Sequence, residues 1–198
     1  MSIVLVGATS GSVTLQEPAV AGTTVLDLPA TSGTVLTSAS AISASSITTG
    51  TLPAARLPTG SVLQVVPNTY TGFISTTSTS YVTTGLSASI TPTSASSKIL
   101  IFHSCGVMCN SANVQMNLTL YRGGSNLMAQ GQGMLYTNTG ATQCFGNILY
   151  YDSPATTSST TYTIYFKNHN NSAGTVIWNP DGASGAATAQ LILMEIAA

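Results

Sequence analysis

Charge is what this sequence has least of. Of 198 residues only 4 are Lys or Arg and 5 are Asp or Glu, a charged share of 5%, against about 25% in an ordinary soluble domain. A net charge of −1 leaves no basic footprint for nucleic acid and no polybasic run for a membrane surface. Disorder follows from low hydrophobicity, and 43% hydrophobic residues argue against it. A surface so poor in charge has little like-charge repulsion to hold copies apart. Much of it is expected to be buried, against copies of the chain or against a larger assembly.

Other absences narrow the field. Cysteine occurs three times, at Cys105, Cys109 and Cys144, an odd count that makes no disulfide framework. Cys105 and Cys109 would stand on the order of 13 Å apart along a straight strand, too far to bridge. Synthesis in a reducing cytoplasm is expected. No apolar run nears the roughly 20 residues of a membrane-spanning helix, and "MSIVLVGATSG" lacks the basic start of a secretory signal. An apolar stripe at helical spacing is absent too.

What is present is β-sequence. "TSGSVTL" (9–15) returns as "TSGTVLT" (31–37), a repeat of 22 residues with Gly in the same place. "TTVLDLP" (23–29) offers a strand between them. Each piece is too short to bury a core alone. In "TTGTLPAARLPTG" (48–60), Pro53 and Pro58 favour extended backbone. They would turn Leu52 and Leu57 outwards, towards other copies of the chain. Residues 1–60 are therefore expected to form an extended arm of short strands.

From residue 61 the texture changes. Long β candidates are "SVLQVV" (61–66), "KILIFHSCGVMC" (98–109), "VQMNLTLY" (114–121), "QCFGNILYY" (143–151), "TYTIYFK" (161–167), "GTVIW" (174–178) and "AQLILMEI" (189–196). Turn signals such as "RGGSN", "YDSP" and "NPDG" separate them. In 114–121 apolar and polar residues alternate, which predicts a half-buried strand. Segments 98–109 and 189–196 are apolar on both faces. One face is expected in the core and the other at a subunit contact, with Ile192 and Met194 on the contact side. The fold class is all-β: residues 61–198 form an antiparallel, jelly-roll-like sandwich.

Patterns for chemistry fail one by one. "IVLVGATSG" imitates the opening of a dinucleotide-binding fold, but a strand-like segment stopped by Pro18 follows where a helix is required. Nucleophile-elbow and phosphate-loop motifs are absent. The acids Glu17, Asp27, Asp152, Asp181 and Glu195 are scattered, and Asp152 and Asp181 stand in turn sequences. His103, Cys105 and Cys109 share a strand face without the paired spacing of a metal site, so burial explains them. No catalytic, cofactor or metal site is expected.

The combination "GSVTLQEPAVAGTTVLDLPATSGTVL", "ITTGTLPAARLPTGSVLQVV", "YYDSPATTSSTTYTIYFK" and "LILMEIA" resembles fibre-type virion proteins of tailed bacteriophages, over nearly the whole chain. The resemblance implies a tail-fibre role: an N-terminal arm anchored to other virion proteins and a homotrimeric C-terminal knob facing the host. With only about sixty residues before the knob, a capsid-decoration or head-fibre protein is the alternative. The protein would be made in the host bacterial cytoplasm and incorporated into the virion.

Two residue sets carry these expectations. Leu52, Leu57, Ile192 and Met194 are the trimer-interface candidates. Recognition of a host glycan or protein is expected on the loops "YTNTGATQ" (136–143) and "NHNNSAGTVIWNPDG" (168–182), through Tyr136, Asn138, His169, Asn170, Asn171 and Trp178. Amides pair with sugar hydroxyls, and an aromatic face stacks on a pyranose. The competing reading is that Trp178 packs in the core and the asparagines serve turns.

Overall fold

The computed structural model describes residues 3–6, 8–15, 50, 52–53, 56–128, 133–169, 173–185 and 187–198. It divides the chain into two compact units, Met1–Gly50 and Thr51–Ala198. In the first unit β1 (Ile3–Val6) and β2 (Ser12–Leu15) form an antiparallel hairpin, Ile3 opposite Leu15 and Val6 opposite Ser12. The Gly-rich turn thus leads into a strand and not a helix. Gly11 stands at φ 79°, the left-handed region that glycine enters without steric cost. The second repeat copy (31–37) and the strand expected at 23–29 lie outside the described residues.

In the second unit the strands are β3 (Val62–Tyr70), β4 (Ile74–Thr76), β5 (Val82–Ile90), β6 (Lys98–Cys109), β7 (Val114–Arg122) and β8 (Ser125–Asn126). They continue with β9 (Gly133–Thr137), β10 (Thr142–Asp152), β11 (Thr160–Asn168), β12 (Val176–Trp178) and β13 (Ala189–Ile196). All pairings among the described residues are antiparallel. In the six-stranded sheet β6 carries β10 along one side; on its other side β13 and β12 pair one after the other, backed by β3 and β4. The five-stranded sheet runs β5-β11-β7, with β8 and β9 both on the far side of β7. The expected all-β, antiparallel sandwich is what the chain forms.

Alternation sets which side chains enter the core. On β6 Ile99, Ile101, His103, Cys105, Val107 and Cys109 are buried, while Leu100, Phe102 and Ser104 face the other way. On β13 Leu191 and Leu193 are buried, and Ile192 and Met194 point out of the sandwich. The inner face of the other sheet supplies Leu86, Ile90, Leu118, Leu120, Ile164 and Phe166. Pro67 stands within β3, which is tolerated because, among the described residues, β3 pairs only with β13.

Four readings of the sequence are corrected. First, β5, "VTTGLSASI", was not expected as a strand because its Ser, Thr and Gly resemble the arm. Thr84, Leu86, Ala88 and Ile90 nonetheless form its buried face. Gly85, at φ 76°, absorbs a register shift against β11, and the Thr84 hydroxyl donates to the Ile164 carbonyl (2.8 Å) at that shift. Second, β7 is covered on both faces. Asn117 and Thr119 on its polar side are buried, with Thr119 donating to Asn126 Oδ1 (2.6 Å) and Asn117 bonded to His169 (3.2 Å). Third, Asp152 does more than serve a turn. Buried at the end of β10, it accepts from Arg122 of β7 (2.8 and 2.9 Å) and from the Tyr162 hydroxyl of β11 (2.6 Å). One carboxylate therefore ties the two sheets together. Fourth, Trp178 is a core residue, with no exposed surface.

The strands give the sandwich two distinct ends. Residues 58–61, 91–97, 123–124, 153–159 and 197–198 lie at one end, here the base, where the chain enters and Gly60 N–H donates to the Ala197 carbonyl (2.8 Å). Residues 77–81, 110–113, 138–141 and 173–175 lie at the other end, the tip. The 12 residues of β6 separate the ends by on the order of 35 Å.

Candidate interaction surfaces

At the tip, hydrogen bonds gather loops that are distant in sequence. Asn110 N–H donates to the Thr175 carbonyl (3.1 Å), and Thr175 N–H donates to Asn110 Oδ1 (2.8 Å). Asn113 N–H donates to the Thr137 carbonyl (2.6 Å), and His169 N–H to the Gln115 carbonyl (2.7 Å). Thr137 Oγ1 donates to the Gly140 carbonyl. The tip is thereby one surface built by β6, β7, β9, β10, β11 and β12.

Of the recognition candidates, Tyr136, Asn138 and His169 are exposed there. The Tyr136 hydroxyl donates to Asn113 Oδ1 (3.2 Å), which holds its ring on the surface. Asn170 and Asn171 lie outside the described residues. Trp178 leaves the set: its indole N–H reaches His103 Nε2 (3.4 Å) and its ring centroid lies 5.4 Å from that of Tyr70, inside the core. Asn113 was missed by the sequence reading. It stands at φ 60°, a conformation asparagine tolerates, and only its pairing with Tyr136 marks it.

The outer face of the six-stranded sheet is of another kind. Residues in register form rows across four strands. Tyr151, Leu100, Met194 and Val65 make one row; Leu149, Phe102, Ile192 and Pro67 make the next. A polar row follows, Asn147, Ser104, Gln190 and Thr69, and Phe145 stands beyond it on β10. Between the apolar and polar rows lies a shallow groove of about 230 Å³. Ile192 and Met194 are in this face, as expected, half-buried by their neighbours. Phe102 belongs to segment 98–109, whose second apolar face was expected at a contact; the sequence reading missed Val65, Leu149 and Tyr151, although for the last two "QCFGNILYY" is apolar at both parities and that signal was available.

Leu52 is exposed, whereas Leu57 is half-buried and lines a cavity of about 460 Å³ at the base with Leu63, Thr93 and Ser97.

The ionisable groups of the core are engaged in structural bonds. His103 Nδ1 lies 2.8 Å from the Gln190 carbonyl while its Nε2 faces the Trp178 N–H, an arrangement that suits the neutral ring. Burial lowers its pKa to about 4, opposed by the Gln190 bond. Burial pushes the Cys105 thiol up to about 12 and the Cys109 thiol to about 11, so neither supplies a thiolate at neutral pH. Glu195 is buried, which raises its pKa, but bonds from Gln64 Nε2 (2.6 Å) and from the Thr93 N–H (2.7 Å) and hydroxyl (2.8 Å) outweigh burial and hold it below the ordinary value.

No protein-family model and no curated protein matches the chain. Among solved structures it is similar to that of infectious bursal disease virus Gx strain, with 14% identity and a TM-score of 0.36 over 69% of this chain and 33% of that one. It is also similar to the VP2 subviral particle of infectious bursal disease virus, with 13% identity and a TM-score of 0.35 over 75% of this chain and 42% of that one. The chain spans less than half the length of either. Likeness at this level carries no argument about architecture or function.

Proposed function

We propose that this chain is a non-catalytic virion structural protein of a tailed bacteriophage, a tail-fibre component. In this reading the first sixty residues attach it to other virion proteins, and the sandwich is a homotrimeric knob that contacts a host-surface glycan or protein. The observation that carries the reading is the polarity of the sandwich. The chain enters at the base, and Tyr136, Asn138 and His169 are gathered at the opposite end. A polar, asparagine-rich tip directed away from the point of entry is what a presenting knob requires. The engagement of Asp152, Glu195 and His103 in structural bonds supports a role without catalysis.

Labelling intact particles with an antibody against residues 61–198 tests the location. Label at the tail is the expected result, label over the head would favour a capsid-decoration or head-fibre protein, and absence from purified particles would end the virion reading. The tip is tested by the double variant Tyr136→Ala, Asn138→Ala, both exposed residues. Host adsorption should fall by roughly 10-fold or more, the loss expected from removing interface anchors, with the melting temperature unchanged.

A further inference from the structure

We propose that the outer face of the six-stranded sheet is the surface on which a second copy of this chain packs. The inference specifies the self-association that the reading above assumes, but it rests on its own observations. Leu149 is 66% exposed, Tyr151 57%, Phe145 79%, Val65 50% and Phe102 39%. Together with the partly exposed Ile192 and Met194, and with Phe145 beyond the polar row counted in, these residues offer on the order of 700 Å² of accessible surface, close to the roughly 800 Å² that each partner buries in a stable complex. The two contiguous rows alone stand at the upper end of the roughly 300–600 Å² that the largest apolar patch of a typical monomer exposes, and patches of that size often mark an interaction surface.

Charge selects the occupant. The two apolar rows contain no ionisable group except the Tyr151 phenol, and Lys98 stands at the margin, bonded to Ser153 (3.0 Å). Nucleic acid would find no cation here, and a charged protein surface would lose solvation without gaining a partner. A second face of the same composition suits it. Nor does the adjoining edge oppose close approach. Among the described residues β10 pairs only with β6, and its sequence, "TQCFGNILYYD", places no Lys or Pro along the edge before Asp152. Natural edges that must stay solitary are usually guarded by such residues.

Analytical ultracentrifugation of the full chain tests the proposal with wild type, Leu149→Lys, Tyr151→Lys and, on the opposite outer face, Thr161→Lys. Leu149 and Tyr151 are already largely in water, so Lys at either position leaves the core untouched. The near-ultraviolet signal of buried Trp178 reports that each variant is folded. Wild type and Thr161→Lys should sediment as one multimer at micromolar concentration. Each face variant should need roughly 30-fold or more protein to assemble, the loss expected at a central contact.

A monomeric wild type would overturn the proposal, including the case in which the chain's own residues 1–50 cover the face. So would a folded Leu149→Lys and Tyr151→Lys pair that assemble as wild type does. Because assembly is read in solution, a negative particle-labelling result leaves this test intact, and the reverse also holds.

Discussion

The sandwich has two outer faces, made by the same chain under the same alternation rule, and they differ in kind. That of the six-stranded sheet carries two apolar rows, with Leu149, Phe102 and Ile192 in one and Tyr151, Leu100 and Met194 in the other. That of the five-stranded sheet carries Thr83, Ser87, Ser89, Thr161, Thr163 and Lys167. Its aromatic residues satisfy one another: the Tyr121 and Tyr165 rings lie 4.1 Å apart and Lys167 Nζ sits 4.7 Å from the Tyr81 centroid. Both sheets bury an apolar inner face in the shared core. The outer faces therefore differ in what they offer: a hydroxyl-rich surface in one case, and in the other an apolar surface of the kind on which we propose a second copy packs.

The largest effects should come from the shared interior, which both faces require. Trp178→Ala empties the fully buried indole site beside Tyr70 and His103 and should cost about 4 kcal/mol in denaturant unfolding. On β13, Leu193→Ala should cost about 3 kcal/mol for the same reason. Its neighbour Met194→Ala should leave folding of the dissociated chain within about 0.5 kcal/mol, because it faces outwards. Equal costs at the two positions would break the comparison.

Acid tests the six-stranded sheet from inside. The His103 pKa is lowered from 6.5 to about 4 in the folded chain, so the unfolded chain binds the proton more readily between those values. Stability should be full above pH 6.5, fall by about 3 kcal/mol as pH drops to 4, and change no further through this group below that. In His103→Gln, melting temperature against pH should lose this slope.

Breaking the tie between sheets should cost less. Arg122 is a third exposed while Asp152 is buried, so solvent screens part of the pair. Asp152→Asn should destabilise by about 2 kcal/mol, measured by urea unfolding. Smallest of all, Thr161→Lys on the wet face should lie within about 0.5 kcal/mol of wild type.

Much of this organisation was legible in the sequence, for reasons that particular residues make plain. β6 and β13 have their expected bounds because apolar residues fill both parities over their whole length. Parity put Ile192 and Met194 on one face and Leu191 and Leu193 on the other, but with both faces apolar it did not by itself decide which is outer; the structure turns Ile192 and Met194 out. β5 was hidden because a strand whose outer face is Thr, Gly and Ser looks like a linker until Leu86 and Ile90 are seen packed. The role of Asp152 was illegible for a different reason. Its partners lie on other strands, Arg122 on β7 and Tyr162 on β11, in the opposite sheet, and only the fold brings all three within reach. Trp178 shows the limit of residue type as a guide: a lone tryptophan near an asparagine-rich loop serves the core and not a ligand.

Hydroxyl-radical footprinting of the wild-type chain over a series of protein concentrations compares both faces in one sample. Oxidation of Met194 and Tyr151 on the six-stranded sheet should slow several-fold as concentration rises, while that of Tyr165 and Tyr121 on the five-stranded sheet stays constant. Met194 and Tyr151 reacting at the same rate at every concentration would contradict the claim that a second copy covers the apolar face.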